Sequence, residues 1–332
     1  MTATPLNNVN MVQAIAMALD DAMEIDASVV ALGEDIADAQ GGGVFRCTAG
    51  LSTKYGDARV RSTPIAEQAI MGAAIGAAIG GLRPVAEIML MNFMTVGMDQ
   101  IVNHAAKLRF MTGGQTHVPL TVRTATGAGF GTGGQHADYL EAWFAHTAGL
   151  KVVAPSTPAD AYGLLLSCIF DDDPCIFIEN LPLYFVPGAP PVRGVRLPLG
   201  RARVTRQGSD VTLISYSRTM LEAQAAADAL ARDGISVEVV DLRSIAPLDM
   251  GTLLASVAKT GRAVVAHEAQ VDCGIGAEIA SRLHRELFGR LKAPVARVGA
   301  ARSPVPFSKA LETEFLPTQA RITAAVLETM TP

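Results

Sequence analysis

The chain has 332 residues and a mass of 34.7 kDa, and 49% of its residues are hydrophobic. Its net charge is −5 and it contains no runs of Lys or Arg, which argues against nucleic acid as the main partner. Only 18% of the residues are charged. A monomer usually needs more charge to cover its surface, so we expect a large interface with another subunit.

The N-terminal residues 1–10 are polar and lack the basic and then apolar pattern of a signal segment. The longest uncharged apolar run, residues 69–82, has 14 residues and is too short to span a membrane. The cysteines form no CxxC pair, so neither a zinc site nor a thioredoxin-like motif is expected. We therefore predict a cytoplasmic protein with reduced thiols and no contact with a membrane.

The first half of the chain alternates between strand-like and helix-like segments. Short apolar runs rich in Val and Ile predict strands at residues 29–33, 84–90, 119–125, 151–155 and 174–179. Helical patterns lie between these strands. This alternation indicates a parallel α/β architecture rather than a helical bundle or a β-sandwich.

The second half repeats the same order with shorter connections. Strands are predicted at residues 211–216, 236–242 and 262–268, and helices at 219–232 and near 249–258. This order is a βαβαβ arrangement, in which neighbouring strands run parallel.

A proline-rich segment separates the two halves. Residues 186–198 contain four prolines, which can continue neither the helical nor the strand pattern. We predict one domain over residues 1–187, a linker over residues 188–198 and a second domain over residues 199–332.

One carboxylate, Glu67, opens the otherwise small and apolar stretch TPIAEQAIMGAAIGAAIGGLRP at residues 63–84. Pro64 and an early acid both suit the first turn of a helix, so Glu67 could serve only the helix dipole. The following small residues allow the helix to be covered on all sides. A carboxylate at the end of a buried helix needs a partner, either in the protein or in a ligand.

A glycine-rich stretch follows the strand predicted at 119–125. It contains a formal GxGxxG at Gly129, Gly131 and Gly134, but no acid closes the next strand as a dinucleotide site requires. We therefore interpret it as a loop at the carboxyl end of a strand, where α/β proteins bind ligands. His136 ends this loop and could equally be a structural residue or a ligand contact.

Three consecutive acids, residues 171–173, follow a predicted helix. The dipole disfavours acids at that end, so these residues could form a solvated turn. They could also hold a hard cation together with backbone carbonyl groups.

Six segments, in this order along the chain, resemble one known family: GED (33–35), TPIAEQAIMGAAIGAAIGGLRPVAE (63–87), NFMTVGMDQIVNHAAKLRFM (92–111), GQHADYLEAWFAHTAGLKVVAPSTPADA (134–161), DLRSIAPLD (241–249) and SPVPFSKALE (303–312). The family is that of the beta subunits of the thiamine-diphosphate-dependent first component of 2-oxo acid dehydrogenase complexes. The resemblance implies a transketolase-type pyrimidine-binding domain followed by a transketolase C-terminal domain.

The resemblance also implies a chemical role for Glu67. In this family the glutamate of the TPxxE motif hydrogen-bonds the aminopyrimidine ring of the cofactor and favours the tautomer that deprotonates the thiazolium carbon. The activated cofactor then takes up the 2-oxo acid, carbon dioxide leaves, and the acyl unit passes to a lipoyl group. Met89 and Phe93 would line the aminopyrimidine pocket, and Glu34 would lie on the proton path near Glu67.

His136 matches the family's QH motif and would orient the substrate or the lipoyl group. The family commonly reads QHSQ, whereas this chain has Ala137 and Asp138 after the histidine, and a new acid there could raise the pKa of the imidazole. Some members hold a structural potassium ion, mostly through carbonyl oxygens. The matching residues are Val118, Leu120, Thr121, Cys168, Asp171 and Asp173.

The diphosphate part of the cofactor site is missing from the sequence. Thiamine enzymes hold magnesium and diphosphate with a GDG motif, and this chain has none. The resemblance therefore implies a split site completed by an alpha subunit in an alpha-two beta-two heterotetramer, served by a lipoyl acyltransferase core.

The substrate predicted from the resemblance is a small 2-oxo acid, foremost pyruvate, with acetoin as the alternative. A branched-chain 2-oxo acid fits the segment 288–308 less well. A self-sufficient transketolase-like synthase and a non-catalytic interaction subunit are further alternatives. The absence of GDG disfavours the first, and the retention of Glu67, Phe93 and His136 disfavours the second.

Overall fold

The computed structural model describes residues 8–331. Residues 1–7 lie outside the described residues. The prediction that the chain has no signal segment depends partly on them. The chain forms two compact units. The first runs to Thr126 and resumes over Trp143–Leu199, and the second comprises Gly127–Ala142 and the chain from Gly200 onward. The glycine-rich segment thus packs with the second unit, and the domain limits drawn from the sequence stay a prediction.

The first unit is built on a parallel sheet. Its strands are β1 (Val29–Glu34), β2 (Val60–Thr63), β3 (Arg83–Leu90), β4 (Thr121–Thr126), β5 (Lys151–Val153) and β6 (Cys175–Asn180). They pair in the order β5-β6-β4-β3-β1-β2, each parallel to its neighbours. Because all of them are parallel, their carboxyl ends lie along one edge of the sheet, where α/β proteins bind ligands.

Helices cover the faces of this sheet. In chain order the helices are α1 (Met11–Ile25), α2 (Leu51–Tyr55), α3 (Glu67–Ile79), α4 (Leu108–Met111), α5 (Glu141–Ala145), within which the first unit resumes, and α6 (Pro158–Ile169). Asn10 and Gln13 form a capping box at the start of α1. Thr157 caps α6, and Pro158 occupies its first turn. Helices α1 and α6 share a buried apolar cluster, which forms the core of this unit.

The second unit has its own sheet and helices. The strands of this unit are β7 (Arg203–Arg206), β8 (Val211–Ser215), β9 (Val237–Asp241), β10 (Ser244–Ala246), β11 (Ala263–Gln270) and β12 (Ala296–Ala300), and all but β10 form its sheet. Its remaining helices are α7 (Thr219–Arg232), α8 (Met250–Thr260), α9 (Ile275–Glu286), α10 (Lys309–Phe315) and α11 (Gln319–Met330). The order β12-β11-β8-β9-β7 is parallel except for β7, which is antiparallel to β9. The predicted α/β fold with mainly parallel sheets is confirmed.

Cysteine exposure differs within the chain. Cys47, Cys168 and Cys175 are buried, whereas Cys273 is exposed in the loop after β11. Within residues 8–331, every helix is too short or too polar to cross a bilayer.

Candidate functional site

Glu67 is the first residue of α3, at the carboxyl edge of the first sheet. Ala66 is the N-cap residue and offers no side-chain cap, so the Glu67 carboxylate is the acidic group of the first turn. The expectation that Pro64 lies in this turn is wrong, because the helix begins three residues later. Pro64 instead fixes the connection between β2 and the helix.

Helix α3 is covered on one side only. Ile70, Met71, Ala74, Ile75 and Ala78 face the core. The opposite face carries Gln68 and a series of small residues, all exposed: Ala69, Gly72, Ala73 and Gly76. Glu67 is half-buried. The predicted covering on all sides is therefore absent in this chain by itself, and the exposed face leaves room for another protein.

Glu34 ends β1 and lies next to β2 in the sheet, in register with Thr63. Burial raises the pKa of Glu34, and the nearby carboxylates of Glu67, Asp35 and Glu87 raise it further. Glu34 ends β1 and Glu67 follows β2, its neighbour in the sheet, so the two acids predicted on the proton path belong to the same edge. A carboxyl group with a raised pKa retains its proton more readily, so Glu34 can hold a proton at this edge.

Apolar side chains occupy the carboxyl end of β3, the other neighbour of β1 in the sheet. Met89 comes near the end of β3 and Phe93 follows in a 3₁₀ turn, and both are half-buried against the core of the unit. A methyl group at Gly97 would lie 2.9 Å from Cγ of Met71 and 3.4 Å from the carbonyl oxygen of Glu67. The chain after β3 thus packs directly against the start of α3.

These features fit an aromatic heterocycle with a nitrogen that needs a carboxyl partner. Met89 and Phe93 supply apolar surface, and Glu67 supplies the carboxyl group at the same edge. The hydroxyl of Thr63 is buried and makes no hydrogen bond to the described residues. An orphaned buried hydroxyl beside Glu34 indicates that a polar group belongs nearby.

A buried charge cluster lies on the neighbouring strands β3, β4 and β6, and it was not predicted from the sequence. Arg123 is only 2% exposed. Its Nη1 donates to Oε2 of Glu87 at 2.6 Å, and its Nε and Nη2 donate to the Glu179 carboxylate at 2.7 and 2.9 Å. The hydroxyl of Tyr184 also donates to Glu179. The sequence signal that could have indicated this cluster was Arg123 itself, a charged residue inside the strand predicted at 119–125.

His136 belongs to the second unit, at the end of the glycine-rich loop. Its backbone N–H donates to the carbonyl of Gly133 at 3.2 Å, and its side chain is half-buried. Asp138, two residues later, is also half-buried. The loop therefore leaves the imidazole partly accessible.

The N–H groups of the glycine-rich loop are already bonded within the unit. The N–H of Gly129 donates to Glu312 at 2.6 Å, and that of Gly131 is shared between the two oxygens of the same carboxylate at 3.3 Å. The N–H of Ala128 donates to Glu268 at 2.7 Å. In a dinucleotide site such groups bind phosphate. Their use here agrees with the interpretation that this stretch is not a dinucleotide site.

Glu141 is another buried acid that was not predicted from the sequence. It is completely buried, and its Oε1 accepts a hydrogen bond of 2.7 Å from the hydroxyl of Tyr216. Burial raises the pKa of Glu141 to about 7, although the bond from Tyr216 opposes the shift. Within the described residues, its other oxygen has no hydrogen-bond partner. This carboxyl group is therefore poised to change its protonation near neutral pH.

The residues predicted for potassium lie around the amino end of β4 and the turn after α6. The carboxylates of Asp171 and Asp173 both contact Nζ of Lys151, at 2.6 and 3.3 Å, and Asp173 also pairs with Arg109 at 2.6 Å. The Thr121 hydroxyl is buried and makes no hydrogen bond to the described residues. The other predicted ligands, Val118, Leu120 and Cys168, are buried. The orphaned hydroxyl fits a cation, whereas the two acids already have cationic partners.

Comparison with known proteins places the chain in a family. Residues 7–186 match the model of the transketolase pyrimidine binding domain, and residues 200–322 match that of the transketolase C-terminal domain. The beta subunit of the acetoin:2,6-dichlorophenolindophenol oxidoreductase of Cupriavidus necator is 46% identical over 325 residues, which cover 96% of each chain. The pyruvate dehydrogenase E1 component subunit beta of Staphylococcus epidermidis is 44% identical over 308 residues, or 92% of this chain and 94% of that one.

The chain belongs to the beta subunits of the first component of 2-oxo acid dehydrogenase complexes. The family resemblance drawn from the sequence is confirmed. A solved structure, described as a split-gene transketolase in an inactive beta4 tetramer, has the same fold as this beta subunit. It matches with a TM-score of 0.80 and 23% identity, over 97% of this chain and 98% of that one.

Proposed function

We propose that this beta subunit contributes the pyrimidine half of a thiamine diphosphate site, in an enzyme that decarboxylates a 2-oxo acid and transfers the acyl unit to a lipoyl-protein. The observation that carries the proposal is the position of four residues at the carboxyl edge of the first sheet: Glu34 at the end of β1, Glu67 at the start of α3, and Met89 and Phe93 at and after the end of β3.

When bound, thiamine diphosphate supplies the carbanion that attacks the substrate carbonyl and the electron sink for decarboxylation. The residues of this chain act on the aminopyrimidine side. Glu67 would hold the ring nitrogen through a hydrogen bond, and Glu34, whose pKa is raised, would keep a proton at the same edge. Met89 and Phe93 would supply the apolar lining for the ring and exclude water from it. His136 orients the substrate or the lipoyl group from the glycine-rich loop.

Magnesium and the diphosphate belong to an alpha subunit in this proposal. The chain has no GDG motif, so it lacks the acid with which thiamine enzymes bind the metal. The exposed face of α3, with Ala69, Gly72, Ala73 and Gly76, offers a surface that another chain can approach closely. The assembly is an alpha-two beta-two heterotetramer in the cytoplasm that delivers its product to a lipoyl acyltransferase core.

Two further assignments belong to the same proposal. The pyrimidine-binding domain covers residues 1–187 and the C-terminal domain residues 199–332, joined by the proline-rich residues 188–198. A structural potassium ion is held by Val118, Leu120, Thr121, Cys168, Asp171 and Asp173. The unpartnered Thr121 hydroxyl supports that site, and the ion pairs of Asp171 and Asp173 mean that carbonyl oxygens carry most of the coordination.

Pyruvate is the proposed substrate, and acetoin is the second candidate. The relative from Cupriavidus necator, named for acetoin, is 46% identical, and that from Staphylococcus epidermidis, named for pyruvate, is 44% identical. Both candidates deliver a two-carbon unit, so the chemistry at Glu67 is the same for either. Turnover of each compound by the assembled enzyme distinguishes them.

Replacement of Glu67 tests the proposed function. We expect Glu67→Gln to lower kcat by about 10²–10⁴-fold with a dye as electron acceptor, because the amide cannot exchange the proton. Assembly with the alpha subunit, measured by size-exclusion chromatography, should be unchanged.

The matched control for Glu67 is Glu278→Gln, which removes an exposed acid from the first turn of α9. Both substitutions remove a first-turn charge, so a role limited to the helix dipole predicts equally small effects. Full activity of Glu67→Gln would refute the proposed role.

A further inference from the structure

The glycine-rich loop 127–136 is attached to the second unit by two buried carboxylates. Glu312 of α10 is 2% exposed and binds the N–H groups of Gly129 and Gly131. Glu268 of β11 is 5% exposed and binds the N–H of Ala128. Three N–H groups within four residues of one loop thus donate to two acids that are distant from it in sequence.

The chemistry of these contacts favours a carboxylate at both positions. Backbone N–H groups that point into one concavity form a site for negative charge, and bonds to an ionised acceptor are stronger than bonds between neutral groups. Glu312 accepts from two N–H groups with both oxygens. A glutamine there would offer one neutral oxygen and would put an NH₂ group in place of Oε2, which accepts from Gly131, so it would bind the loop more weakly than the acid.

The attachment extends along the loop to His136. A methyl group at Gly133 would lie 2.3 Å from Cζ of Phe307, so the ring of Phe307 packs directly on the loop backbone. The carbonyl of Gly133 accepts the N–H of His136. Ala128, near the start of the loop, and Ala137, just after its end, are buried in one apolar cluster with Phe315 of α10. Helix α10 and the segment before it therefore determine where the loop, and with it His136, lies.

We propose that Glu312 and Glu268 are positioning residues, which hold the glycine-rich loop so that His136 is presented to the substrate or the lipoyl group. This inference rests on the proposed function for the role of His136, but the attachment of the loop does not. Neither acid contacts a reacting group in this proposal, and both act through the loop backbone.

Hydrogen–deuterium exchange of the enzyme assembled with its alpha subunit tests the attachment. We expect Glu312→Gln to speed the exchange of the amides in 127–136 at least tenfold, and Glu268→Gln to do the same around Ala128. The matched control is Glu314→Gln, because Glu314 is an exposed acid of the same helix. Its exchange should equal that of the wild type. Unchanged exchange in both a folded Glu312→Gln and a folded Glu268→Gln enzyme overturns the proposal.

A comparison of two electron acceptors tests the positioning of His136. We expect Glu312→Gln and His136→Ala to lower the rate with lipoamide relative to the rate with a dye acceptor, whereas Glu314→Gln should not change this ratio. Fast loop exchange in Glu312→Gln with a normal ratio, while His136→Ala lowers it, overturns the positioning role. If His136→Ala itself leaves the ratio unchanged, the proposed function of His136 fails. The attachment of the loop is then judged only by whether Glu312→Gln speeds the exchange of the His136 amide.

Discussion

At the residue scale, burial gives Glu141 an acid–base behaviour that an exposed glutamate lacks. Its carboxyl group faces Tyr216, with Tyr139 and Glu268 nearby, and no cation is among the groups that shift its pKa. Burial raises its pKa from 4.5 to about 7. The folded state therefore binds more protons than the unfolded state between these two pH values.

Stability should consequently fall as the pH rises from about 4.5 to about 7, and it should stay lower above that range. The loss amounts to about 3 kcal/mol as an order of magnitude, since one pKa unit corresponds to about 1.4 kcal/mol. We expect Glu141→Gln to remove this decline. Denaturant unfolding at pH 5, 6, 7 and 8 measures it, and an equal decline in both proteins would contradict the assignment.

The sequence predicted some of these residues and could not predict others. Glu67 and Glu34 were found because each lies in a short local motif, TPIAE or GED. Glu312 binds N–H groups about 180 residues earlier in the chain, and no local pattern carries such a contact. Glu312 lies in the segment 303–312 that matched the family, yet its role depends on the loop that it meets only in the folded unit.

At the element scale, burial separates the strands that were predicted from the sequence from those that were missed. The predicted strands β4, β6, β8 and β9 are buried along their whole length, and their sequences are rich in the β-branched residues Val, Ile and Thr. Strands β2 and β7 are partly exposed at sheet edges, with the sequences VRST and RVTR. An edge strand needs fewer apolar residues, so periodicity does not reveal it.

The loop after β1 offers a test of packing within one element. Gly41 and Gly42 both have positive φ angles, of 101° and 80°. A methyl group on Gly42 would lie 2.4 Å from Cα of Ala49, whereas one on Gly41 would meet no atom within 4 Å. We expect Gly41→Ala to cost about 1–2 kcal/mol for the left-handed backbone alone.

Gly42→Ala should cost about 1–3 kcal/mol more than Gly41→Ala, because the overlap with Ala49 adds to the backbone strain. Chemical denaturation of the two variants side by side measures the difference. Equal costs would mean that the loop shifts freely and does not hold the end of β1 in place.

At the scale of the whole molecule, the low charge content and the exposed face of α3 both indicate an interface with another subunit. Ile65 is 82% exposed and Ile79 is 51% exposed, on either side of the small residues of that face. Isolated apolar residues are common on surfaces, but a row of them around a glycine- and alanine-rich face is typical of an interface.

A bulky charge on this face should therefore prevent assembly. We expect Ala73→Arg to abolish co-purification with the alpha subunit while the thermal unfolding of the chain stays unchanged, because the side chain is exposed in the chain alone. Ala225→Arg, at an exposed position of α7, is the control and should leave assembly intact. Normal assembly of Ala73→Arg would show that α3 faces solvent in the enzyme.

The uneven exposure of the cysteines gives the chain a natural attachment point for a probe. A maleimide dye should react with Cys273 and spare the buried Cys47, Cys168 and Cys175. The reacting species is the thiolate, and only an exposed thiol can both ionise and contact the reagent. Cys273 follows Glu268 by five residues. A fluorophore at that one thiol would therefore sit near the strand that holds the glycine-rich loop, without any substitution in the protein.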